Sequence, residues 1–125
     1  MAARRFSKAF LTRVDKRHAL RVRAGDEPHR FLGIWKVVVG GRLFVRSWND
    51  KPNGWRRAFE REGLGAIDLD GHEVRVRARA VRGEQVLSAI DRAYAERYSS
   101  PGSRKYVLGL ARPRRRRTTT ELFPR

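Results

Sequence analysis

Phe31-Leu-Gly-Ile-Trp-Lys-Val-Val-Val-Gly-Gly-Arg-Leu-Phe-Val-Arg-Ser47 is two runs rich in apolar residues joined by a Gly-Gly pair. Tight two-residue turns need positive φ, which glycine adopts without steric cost, so Gly40-Gly41 predicts a β-hairpin. The first arm, Phe31 to Val39, is nearly continuous apolar residue. That pattern predicts a strand covered on both faces and central in its sheet. The second arm, Arg42 to Ser47, alternates. Leu43 and Val45 point one way, and Phe44 and Arg46 the other, with Trp48 joining the latter pair if the strand runs on.

The segments on either side extend this frame. Ser7 is placed to cap a helix from Lys8 to Lys16, with Phe10, Leu11 and Val14 as its apolar stripe. Ala19 to Arg23 alternates as a short strand, and Gly25-Asp26-Glu27-Pro28 reads as a turn. After the hairpin, Trp48 to Gly54 is a loop, and Asn53 is placed to cap a short helix from Gly54 to Glu62 that exits at Gly63. Gly65 to Leu69 and His72 to Arg82 flank Asp70-Gly71, a second tight-hairpin signal. In the longer arm Val74, Val76, Ala78 and Ala80 face inward, and Arg75, Arg77 and Arg79 face outward. Glu84 opens a second main helix that runs to about Tyr98. Tyr106 to Leu110 has no pattern that chooses between helix and strand. Thr118 to Phe123 has the β-branched content of a last strand. Consecutive strands without βαβ units predict an α+β fold. The expected form is a small antiparallel barrel or curled sheet of about six strands, with two main helices and one short helix, in a single domain over residues 1–125.

A 125-residue chain is long enough to bury a core without covalent staples. It has no cysteine, which excludes disulfides, thiolate catalysis and Cys-ligated zinc. No apolar run approaches the ~20 residues of a membrane helix, and the first residues lack the apolar core of a signal peptide, so a cytoplasmic protein is expected. The net charge of +17 favours polyanions. Of the 30 Lys and Arg only five are Lys, a skew toward Arg that GC-rich coding also produces. The bulk charge therefore does not by itself designate a partner.

His18, His29 and His72 lie in separate segments without metal-ligand spacing. No Gly-x-Ser-x-Gly elbow is present, and Asp15, Asp50, Asp68, Asp70 and Asp91 form no paired-carboxylate motif. The catalytic residues, if there are any, are unassigned. The expected helix N-terminus near Gly54, just beyond a strand that carries Arg46 and Ser47, is a candidate anion site.

The order of several pieces resembles a bacterial family designated domain of unknown function 2255. They are Ile34 to Val39, Leu43 to Ser47, Trp55, the Gly65-to-Leu69 strand, Ala93-Tyr94 with Arg97-Tyr98, and Thr119 to Pro124. That family is similar to the split β-barrels that bind flavin nucleotides, such as pyridoxamine 5′-phosphate oxidases and deazaflavin-dependent nitroreductases. The resemblance implies a split barrel with the cofactor ring along its flank and the phosphate held by basic and hydroxyl side chains on barrel strands. It places Arg46 and Ser47 as phosphate contacts and Trp48 and Trp55 as walls, with Lys36 and Arg56 as further candidates. It implies FMN or a deazaflavin as cofactor, oxidoreductase chemistry by hydride transfer, and a homodimer across the barrel flank as one arrangement. Two other readings stay open. One is a nucleic-acid-binding module using Arg75, Arg77 and Arg79 with Arg114, Arg115, Arg116 and Arg117. The other is a ligand-free barrel that serves protein interaction.

Overall fold

The computed structural model describes residues 5–25 and 30–125. The expected Gly25–Pro28 turn, from Asp26 onward, and His29 lie outside the described residues. In chain order the elements are α1 Lys8–Lys16, β1 Leu20–Ala24, β2 Leu32–Ile34, β3 Lys36–Val39, β4 Arg42–Val45, α2 Trp55–Glu62, β5 Leu64–Leu69, β6 His72–Ala80, α3 Glu84–Arg97, α4 Arg104–Leu110, α5 Pro113–Arg116 and β7 Thr120–Pro124. The fold is α+β. Its one antiparallel sheet has the order β2-β1-β5-β6-β7-β4-β3 and curls into a nearly closed barrel.

Local chemistry accounts for the two tight turns. Gly40 and Gly41 have φ of 58° and 75°, and Asp70 and Gly71 have 54° and 84°. Both central residues of each turn are left-handed, as a type I′ hairpin requires. Ser7 accepts from the Phe10 amide at 3.1 Å and caps α1, while Gly63 ends α2 at φ 70°. Asn53 does not cap α2. Gly54 holds that position and makes no side-chain cap bond.

The first hairpin arm departs from expectation. It breaks at Trp35, and its two halves lie at opposite ends of the sheet order, β2 beside β1 and β3 beside β4. The arm is therefore an edge on both sides of a seam, not a central strand, and the strand count is seven. In β3 the apolar character has another cause, which is two-sided covering by different cores, whereas β2 is not covered on both faces and Leu32 is exposed. Val37 packs outward with Phe44 against Ile90 and Tyr94 of α3 and Tyr98, which caps its end. Val38 packs inward on the barrel core of Leu20, Val22, Leu43, Val45, Ile67, Val76 and Leu122, which α1 and α2 complete with Leu11, Val14 and Phe59. Burying an edge strand on both faces removes the same apolar area from water as burying a central one.

Tyr106 to Leu110 is helical, within α4, and the basic run from Arg112 holds the short turn α5. Ala80, expected inward, is exposed where β6 ends. Among the described residues no helix is long and apolar enough to cross a membrane.

One close approach gives a direct prediction. A Cβ on Gly65 would lie 2.3 Å from the Arg23 carbonyl oxygen and 2.6 Å from the Phe59 ring. Backbone cannot yield there as a flexible side chain could. Gly65→Ala is expected to cost ~2–3 kcal/mol by overpacking and to lower Tm by about 10 °C. A thermal melt within roughly 3 °C of wild type would remove this account of the crossing.

Candidate functional site

The seam between β2 and β3 opens onto a cleft of about 520 Å³. Strand β2 and the break supply Leu32, Ile34 and Trp35, and the exit of β4 supplies Arg46, Ser47 and Trp48. The loop through Asp50 and Lys51, the start of α2 at Trp55, and Tyr106 and Leu110 of α4 complete the wall. Three indoles and a phenol thus face one hollow. Clefts of several hundred Å³ with apolar, aromatic walls are the usual form of small-molecule sites.

The aromatic wall is held from behind. Trp35 stacks on Tyr98 at 4.1 Å with the rings nearly parallel, and Tyr98 donates from its hydroxyl to the Lys36 carbonyl at 2.7 Å. Tyr106 stands edge-on to both Trp35 and Trp48. Trp48 is 40% exposed, but its ring is not loose. The Arg115 guanidinium lies 3.6 Å over it, and Arg115 Nε donates to the Trp48 carbonyl at 2.9 Å. Gly109 lies against the indole so closely that a Cβ there would come within 2.5 Å of the ring.

Arg46 borders the cleft, yet its guanidinium is turned into the protein and wholly buried. Nε donates to Thr119 Oγ1 at 2.8 Å, one terminal nitrogen to Asp91 at 2.6 Å and the Leu110 carbonyl at 3.1 Å, and the other to the Leu87 carbonyl at 3.2 Å. Four of its five N–H groups are thereby used inside the protein. Arg46 ties α3 and α4 to the barrel. Ser47 is also committed. Its amide donates to Thr118 Oγ1 and its own Oγ accepts from the Asp50 amide, both at 2.9 Å. This local bond holds Asp50 at φ 47° and shapes the loop.

Asp50 in turn accepts from Arg56 at 2.6 and 2.9 Å and from Arg57 at 3.3 Å. Burial raises the Asp50 carboxyl, but the hydrogen bonds and charges of Arg56 and Arg57 outweigh it and hold the group below the usual carboxylate range. Arg56 also reaches Glu60 at 2.6 Å and does not line the cleft.

Lys36 is withdrawn from the cleft. Its side chain is fully buried and its ammonium donates to the Arg17 carbonyl at the C-terminus of α1, where the helix dipole favours a cation. Burial pushes Lys36 down to about 8, aided by the Arg97 charge and opposed by Asp15. The unfolded chain keeps this proton to ~10.4 and the folded chain releases it earlier, so stability rises with pH between those values. From pH 7.5 to 9.5 the wild type is expected to gain about 1–2 kcal/mol over Lys36→Met in urea unfolding. Parallel curves across that window would contradict the assignment. Above ~10 the raised Tyr98 hydroxyl, pushed by burial to about 12, opposes the gain.

The basic residues of the second reading divide. Arg79 joins Arg42 on the buried Glu121 carboxylate at 3.0 and 2.9 Å. Arg116 bonds Glu84 and Asp91, and Arg115 covers Trp48. Arg75, Arg77, Arg114 and Arg117 are exposed, and their guanidinium groups make no hydrogen bond or ion pair among the described residues. No group of three His, Asp or Glu that could hold a metal converges among the described residues.

The structure therefore brings Arg46, Ser47, Trp48 and Trp55 to one cleft and leaves Lys36 and Arg56 outside it. Sequence reasoning missed Trp35, Tyr106, Gly109 and Arg115. A signal existed for two of them. Tyr106, Gly109 and Leu110 stand at i, i+3 and i+4, one face of a helix with a bare position on it.

A family model described as an uncharacterised protein conserved in bacteria (DUF2255) matches residues 10–122. No curated protein matches the sequence. Among solved structures, the crystal structure of the conserved hypothetical protein Rv2991 from Mycobacterium tuberculosis is similar in fold, with a TM-score of 0.56 at 15% identity. The match covers 98% of this chain and 81% of that one.

Proposed function

The chain belongs to the DUF2255 family, and from its seam cleft we propose that it binds a planar aromatic, phosphorylated ligand of the flavin type. The observation that carries the reading is the cleft of about 520 Å³ walled by Trp35, Trp48, Trp55 and Tyr106. Flat heteroaromatic rings gain from such walls through area burial and offset stacking. The surrounding charge is positive, with Lys51 on the wall and Arg115 behind Trp48, which suits an anionic substituent.

The cleft's own polar groups are built for holding. Ser47 Oγ is a turn acceptor, and the Asp50 carboxylate is held by two guanidinium groups. Neither is poised as nucleophile or general base, because each has its partner already. Redox chemistry at this site would reside in the ring, with the protein placing it and excluding water, and hydride transfer is the step a flavin-type ring supplies. An oxidoreductase is thus the activity class that fits the reading.

Titration of the purified protein with FMN, followed through flavin emission, tests it. Binding with Kd on the order of micromolar is expected. No change in emission with protein in large excess would refute the reading and leave a barrel of another purpose.

A further inference from the structure

A second, smaller hollow of about 220 Å³ adjoins the cleft. The two share Trp48, Asn49 and Asp50, and the smaller adds Arg114, Arg115 and Thr118 in place of indoles and leucines. One cavity is aromatic and the next is polar and cationic, with Trp48 as their common wall.

The donors at the second hollow are not spent as those of Arg46 are. Arg114 is exposed and its guanidinium makes no bond among the described residues. Arg115 commits Nε to the Trp48 carbonyl and one terminal nitrogen, at 3.4 Å, to the Gly109 carbonyl. Its other terminal nitrogen makes no bond among the described residues, and stacking on Trp48 fixes the plane in which it lies. Thr118 is not such a donor, because its hydroxyl already gives to the Arg115 carbonyl at 2.6 Å and accepts from the Ser47 amide. The one carboxylate present, Asp50, is matched by Arg56 and Arg57, so the local balance stays positive. Two guanidinium groups on adjacent residues beside a small polar hollow suit a phosphate, whose oxygens match their planar forks.

We propose that the two hollows are halves of one site, with a planar ring in the cleft and its phosphate monoester carried past Trp48 to Arg114 and Arg115. The inference rests on the cleft reading above and moves the anionic half from Arg46 to the C-terminal basic run. It also gives that run a task the charge count alone does not.

Riboflavin and FMN share the ring and differ in the phosphate, so the pair separates the two claims. Wild-type protein is expected to bind FMN at least 10-fold tighter than riboflavin. Arg114→Gln, a change at an exposed position, is expected to erase most of that preference while leaving riboflavin affinity unchanged. Inorganic phosphate should weaken FMN toward riboflavin and leave riboflavin itself alone. Equal affinity for the two flavins in the wild type, or an undiminished preference in Arg114→Gln, overturns the phosphate assignment and leaves the cleft standing. Failure of both flavins to bind overturns the cleft reading and this one together.

Discussion

Arg46→Met is expected to destabilise the ligand-free protein by about 3–5 kcal/mol and to lower Tm by roughly 12–20 °C. The size follows from what the guanidinium holds. It bonds Leu87 and Asp91 of α3, the Leu110 carbonyl in the last turn of α4, and Thr119 just before β7. Methionine fills much of the volume but supplies no donor, so two buried backbone carbonyls and a hydroxyl lose a partner at once. Asp91 keeps Arg116 at 3.0 Å, which limits the loss on that side. Arg46→Lys is expected to recover only part of the stability, since one ammonium cannot span acceptors that a planar fork reaches on several sides. Thermal and urea unfolding without ligand decide the matter. A loss under ~1 kcal/mol, joined to a large loss of FMN binding, would mean that Arg46 serves the ligand and not the framework.

The second large effect is on binding. Trp48→Ala is expected to weaken FMN binding by 10- to 100-fold, the range of ~1–3 kcal/mol found when an aromatic platform under a heteroaromatic ring is truncated. Trp48→Phe should keep most of the affinity because a stacking face remains. The loss also reaches Arg115, whose guanidinium rests on the indole and would lose its fixed plane. Stability should fall as well, since the covered part of the indole packs on Arg115, Gly109 and Tyr106, so affinity is compared at a temperature well below the variant's Tm. Equilibrium dialysis against FMN measures the affinity, because a stacked indole itself quenches flavin emission and its removal would change the signal without changing binding. Unchanged affinity in Trp48→Ala would place the ring elsewhere on the protein.

Residue order alone pointed to the strand exit at Arg46 and Ser47 with the helix start near Gly54, because these lie close along the chain. Trp48 and Trp55 as walls, and Lys36 and Arg56 as further candidates, came only from the family resemblance. Arg46, Ser47, Trp48 and Trp55 border the cleft, and Lys36 and Arg56 do not. The direction of the Arg46 side chain was half legible, since alternation put it beside Phe44 and away from the barrel core. Its partners were not, because they lie 41 to 73 positions away. Arg115 was hidden inside a run of like charge, and Tyr106 and Gly109 lay in a segment too short for its i, i+3, i+4 spacing to decide between helix and strand.

The hairpin turns, the caps at Ser7 and Gly63 and the alternation along β6 followed from residue order, because φ preference and side-chain period act over a few residues. The seam did not. Nothing local marks Trp35 as the point where one apolar run passes from one edge of the sheet to the other, since a residue covered by a neighbouring strand and one covered by a helix lose the same water. Closure of the sheet brought β2 and β3 to a common gap, and the packing of α3 and α4 turned that gap into a hollow with aromatic walls.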